Sequence, residues 1–141
     1  MNSKGFLVAV AIFITFLGCQ HRQLSSVPED LIGVWKTAER KYSDRYFELK
    51  KDRIIFATGG WGVTAHPIDR IEERRDDGNL LYIIYYPNGP GDEIEFSFYY
   101  DPTQRVIRFK NQEQFEWVKW GEVTPTVKPS YQNDPHAINA S

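Results

Sequence analysis

The sequence contains one cysteine, one methionine and three histidines among 141 residues. A single thiol forms no disulfide within its own chain, so packing alone must hold the fold together. The histidines are scattered as His21, His66 and His136. Only His66 falls within the strand-patterned region, which excludes a two-histidine metal site there; beside Pro67 it reads as a turn residue. No Gly-x-Ser-x-Gly elbow is present, and Ser43 and Ser97 are the only serines between residues 30 and 122. Clustered basic charge is missing too. Lys and Arg total 17 against 19 Asp and Glu, a formal charge of -2, so there is no electrostatic case for nucleic acid as a partner. The longest uncharged apolar stretch, Phe6 to Leu17, is 12 residues, short of the ~20 that span a bilayer.

That stretch has another use. Lys4 precedes it and Gly18-Cys19 ends it, the layout of an export signal with an apolar region of ~7–15 residues. An exported chain with one cysteine must account for a thiol that has no partner. Leu17, Gly18 and Cys19 resemble the lipobox of bacterial lipoproteins. In that family the cysteine sulfur receives a diacylglyceryl group, the peptide is cut just before it, and the new amine is often acylated. The resemblance implies that Cys19 is lipidated and that the chain is a membrane-anchored protein of the cell envelope. Two or three acyl chains would make that anchoring stable, as one alone does not. Gln20 at the next position implies the outer membrane in a Gram-negative cell. From the residues alone, an uncleaved anchor helix or ordinary cleavage leaving a free thiol stay open. A lipidated Cys19 leaves no thiol for nucleophilic catalysis.

The rest divides by composition. Residues 1–18 read as the signal peptide, 19–29 as a polar tether, 30–122 as one folded domain and 123–141 as a flexible tail. The tail carries Pro125, Pro129 and Pro135 among polar residues and has no apolar period. Removing the signal peptide takes away Lys4 and no acid, moving the formal charge from -2 to -3.

Between residues 30 and 122, β-branched and aromatic runs alternate with turn residues at short intervals, an all-β signature. About eight strands are expected, at residues 32–36, 45–50, 53–58, 68–74, 80–86, 93–100, 105–110 and 115–120. Asp77-Gly78 is a two-residue hairpin signal, and Gly59-Gly60-Trp61-Gly62 reads as a bend. Short connections favour sequential antiparallel neighbours. The expectation is a small up-and-down antiparallel meander closing into a barrel or strongly curved sheet. In residues 93–100, Ile94, Phe96, Phe98 and Tyr100 share one face and Glu93, Glu95 and Ser97 the other. Residues 80–86 are apolar on both faces, so cover is expected on both sides, from within the chain or from a partner.

Gly33-Val34-Trp35 is similar to the G-x-W that opens lipocalin-type barrels. The resemblance implies a meander barrel plugged by Trp35, with Gly33 and Trp35 structural. It also implies a basic residue near the last strand, Arg108 or Lys119, packed across the indole, and a pocket for a small apolar molecule. The aromatic surplus suits either core filling or such a pocket. The pocket would use Tyr82, Tyr86, Phe98 and Tyr100, with Trp61 as a lid on its glycine loop. Glu93 and Glu95 are the nearest approach to a carboxylate pair for glycan chemistry, but lying opposite the apolar face they read as a solvated surface. The expected function is a non-catalytic binding module without metal or cofactor. Its partners are the membrane through the lipid, and a small apolar ligand or an envelope protein that meets strand 80–86.

Overall fold

The computed structural model describes residues 20–121. The expected signal peptide, Cys19 and the expected tail lie outside the described residues. Ten strands form one antiparallel sheet: β1 (His21–Leu24), β2 (Gly33–Thr37), β3 (Arg45–Leu49), β4 (Arg53–Thr58), β5 (Val63–Pro67), β6 (Arg70–Asp76), β7 (Asn79–Pro87), β8 (Glu93–Asp101), β9 (Val106–Phe109) and β10 (Gln112–Lys119). Their order across the sheet is β1-β6-β7-β8-β9-β10-β2-β3-β4-β5. The all-β antiparallel expectation holds. The count differs, because β1 and β5 were not anticipated. β1 lies within the segment expected to be a tether, and β5 directly follows the glycine bend.

Two meanders, β2–β5 and β6–β10, join where β10 pairs with β2, Trp117 opposite Thr37 and Lys119 opposite Trp35. The first and last strands of the expected meander therefore do meet. The opening lies elsewhere. β6 pairs with β7 on one side and with β1 on the other, so no ladder runs from β5 to β6 and the sheet is not closed into a barrel. The chain crosses this seam in two residues. The Ile68 amide donates to the Asp52 carbonyl at 2.9 Å and the next amide, Asp69, donates to the Tyr85 carbonyl at 2.9 Å. One belongs to the β4 side and the other to β7.

The sheet is rolled. β5 and β7 stand seven positions apart in the strand order, which in a flat sheet would separate them by ~34 Å. Yet the rings of His66 on β5 and Tyr86 on β7 are 4.7 Å apart. Inside the roll, residues from β2, β3, β4, β6, β7, β8, β9 and β10 share one core. Trp35 is wholly buried there, stacked on Phe47 at 6.3 Å and edge-on to Tyr100 at 6.2 Å.

The antiparallel pairings give the roll two ends. One carries Gly33, the 50–52 turn and the Asp77-Gly78 hairpin, whose positive φ angles of 48° and 81° suit a two-residue connection. The segment before β2 crosses this end: Val27 and Leu31 are buried, the Val27 amide donates to the Lys51 carbonyl, and the Trp35 indole N–H donates to the Leu31 carbonyl at 2.9 Å. The other end carries the 59–62, 88–92 and 110–111 turns and is where the cleft opens.

Candidate binding cleft

β8 has nine residues and β9 has four. Their ladder runs from Asp101 opposite Val106 to Phe98 opposite Phe109, and the last main-chain bond is Lys110 N–H to the Ser97 carbonyl at 3.1 Å. Residues 93–96 of β8, paired with β7 on one side, therefore project beyond β9 with no strand of the described residues on the other. The gap exposes the interior as a cleft of about 520 Å³, within the ~300–1,000 Å³ usual for small-molecule sites. Its floor is aromatic: Phe47, Phe56, Phe96, Phe109 and Trp117. Phe96 stands edge-on to Phe56 at 5.3 Å and to Phe109 at 5.0 Å, and Phe109 stacks on Trp117 at 4.9 Å. The Trp117 indole N–H is sealed from solvent and has no acceptor among the described residues, so the floor offers ring surface without a polar anchor.

The rim is polar, with Arg45, Thr58, Glu95, Ser97 and Lys110 around the opening. Ser97 Oγ donates to the Glu95 carboxylate at 2.6 Å. Lys110 Nζ lies 3.7 Å from Asp76, and Arg45 lies over the Tyr42 ring at 5.4 Å. Alternation along each strand produces this division. Odd-numbered residues of β8 face outward with Glu93 and Glu95, and even-numbered ones face the core with Phe96 and Phe98.

The residues singled out in the sequence lie elsewhere. Tyr82, Tyr86, Phe98 and Tyr100 are buried in the core, and none lines the cleft. Trp61 is 89% exposed on the turn after Thr58, beside the mouth. Gly33 and Trp35 sit at the opposite end. Lys119 lays its stem over Gly33, where an added Cβ would come within 3.2 Å, and holds its ammonium 5.6 Å from the Trp35 ring centroid. Arg108 instead pairs with Glu116. Phe96 carried a usable sequence signal, since it shares a face with Phe98. The position of the gap that exposes it carried none.

Two other features bear on function. Leu81 and Ile83, on the face of β7 opposite the core, are buried at 3% and 4% exposure. Beside them on β6, Glu72 is buried too. It bonds Arg74 at 2.5 Å and Arg70 at 3.3 Å, and meets His21 of β1 at 3.1 Å. Burial alone would raise the Glu72 pKa, but the Arg74 bond and the surrounding cations bring it below the ordinary carboxylate value. Glu93 pairs with Arg70 at 3.3 Å. Among the described residues, no group of three or more His, Cys, Asp or Glu is placed to hold a metal ion.

Compared with known proteins, the chain matches no family model, no curated protein and no solved structure.

Proposed function

We propose that this chain is a lipid-anchored, non-catalytic binding module of the bacterial cell envelope, tethered through an acylated Cys19. In a Gram-negative cell it would sit at the periplasmic face of the outer membrane. The observation that carries the binding role is the aromatic cleft of about 520 Å³ at one end of the roll. Flat ring surface with a polar rim suits an apolar body carrying a polar head. The domain works as a lipocalin-like barrel in which β5 and β6 act as one bent strand. The consecutive Ile68 and Asp69 amides, bonded to opposite neighbours, support that reading, as does Lys119 over Trp35.

A module that binds a partner through strand 80–86 is less well supported, because Leu81 and Ile83 are already covered. Catalysis by Glu93 and Glu95 is disfavoured, since Glu93 is tied to Arg70 and both face away from the core. Native mass spectrometry of protein extracted from its own membrane tests the proposal. The expected species is a mature chain beginning at acylated Cys19. Any other N-terminus removes the anchoring claim, and a cleft that neither retains nor takes up an aromatic compound removes the binding claim.

A further inference from the structure

The edge that opens the cleft also has hydrogen-bonding capacity left over. Ser97 directs its carbonyl to Lys110, so the odd-numbered residues of β8 bond toward β9. The even-numbered ones face β7, where Ile94 lies opposite Tyr86 and Phe96 opposite Ile84. Glu93 and Glu95 thus turn their main-chain N–H and C=O groups into the gap below β9, where no strand of the described residues takes them. An unpaired edge is ordinarily a liability, blunted by covering it or placing charges along it. Here the charges are two exposed carboxylates on the outward face, and the inward face opens onto the aromatic floor.

We propose that the cleft binds an extended peptide, which adds as a short strand along Glu93–Phe96 and continues the line of β9. This rests on the binding role assigned to the cleft and names the class of ligand. The geometry sets the sequence such a peptide needs. A residue opposite Glu93 or Glu95 bonds to β8 and points outward; Glu93 is already paired with Arg70, so the residue beside Glu95 is the one that must be Lys or Arg. Opposite Ile94 or Phe96 the side chain points inward to Phe47, Phe109 and Trp117, so it is aromatic. The recognised pattern is therefore a strict alternation of outward and inward residues, basic beside Glu95 and aromatic within. Main-chain bonds supply affinity, and the pocket for alternate side chains supplies specificity.

The test uses the lipidated full chain in phospholipid nanodiscs and the blocked peptide Lys-Phe-Lys-Phe-Lys, followed by amide shifts at residues 93–97. Binding is expected to weaken at least tenfold when the lysine amides facing β8 are N-methylated, and to change little when the phenylalanine amides are. Glu95→Lys, at an exposed position, is expected to weaken the basic peptide about tenfold and to favour Glu-Phe-Glu-Phe-Glu instead. Equal binding of both methylated peptides would overturn the proposal. So would failure of every peptide while indole still shifts Phe109 and Trp117, an outcome that leaves the cleft a small-molecule site. If indole also fails to bind, the binding role itself falls.

Discussion

Lys119 rests its aliphatic stem on Gly33 and its ammonium 5.6 Å above the ring of Trp35. Gly33 holds φ at 141°, a backbone region that side chains rarely adopt. Gly33→Ala is therefore expected to destabilise the domain by about 1–3 kcal/mol, read from the midpoint of urea unfolding. Part of the cost is the methyl group meeting Lys119, so adding Lys119→Ala to that variant should recover some of the loss. Simple additivity of the two changes would show that the contact carries no coupling.

Acid should loosen the seam between β1 and β6. The folded pKa of Glu72 lies below its unfolded value. Its contribution to stability is thus fully present above the unfolded pKa and is lost as pH falls through the folded one. Unfolding free energy should drop below about pH 4.5, and Glu72→Gln should flatten that part of the profile. Hydrogen exchange at residues 21–24 is expected to rise before exchange in the core.

At the other extreme, the Tyr99 hydroxyl donates to Asp76 at 2.6 Å, and this bond, with burial and the Asp76 charge, pushes its pKa up to about 12. Here the folded pKa is the higher one, so the stabilisation is complete below the unfolded value of about 10 and declines as pH rises toward the folded value. Absorbance at 295 nm should show one late-titrating tyrosine fewer in Tyr99→Phe, while Tyr82, raised by burial and by Glu73, still titrates late.

Trp61 and Trp35 should separate sharply on mutation. Trp61 is 89% exposed, and Trp61→Ala is expected to change stability by no more than about 0.5 kcal/mol. Trp35 is wholly buried, and Trp35→Ala should cost about 3–5 kcal/mol. Comparable losses at both sites would contradict this placement.

Strand patterning made most of the sheet legible. Alternation in residues 93–100 correctly separated Phe96 and Phe98 from Glu93 and Glu95, and Asp77-Gly78 marked its hairpin. β1 escaped because His-Arg-Gln-Leu has no apolar period. Its pairing depends on Glu72 and Glu73, some fifty residues further along. β5 escaped for a similar reason, as Val-Thr-Ala-His-Pro is nearly all exposed on a sheet edge. The cleft was harder still. Tyr82, Phe98 and Tyr100 looked as suitable as Phe96 or Phe109, and their chemistry is much the same. What separates them is where β9 stops, and a strand's length relative to its neighbour is fixed by register across the sheet.

β1 has one more consequence. It begins at His21, and only Gln20 stands between it and Cys19. A lipid on Cys19 would leave a leash of two residues, a reach of ~7 Å. β1 starts beside Arg74, toward the Asp77-Gly78 hairpin, and Gln20 and His21 share a surface hollow with Lys110 of the cleft rim. A domain moored there would stand against the bilayer with one wall of its cleft beside the anchor. A leash that short would hold it at the membrane surface and leave it no room to range.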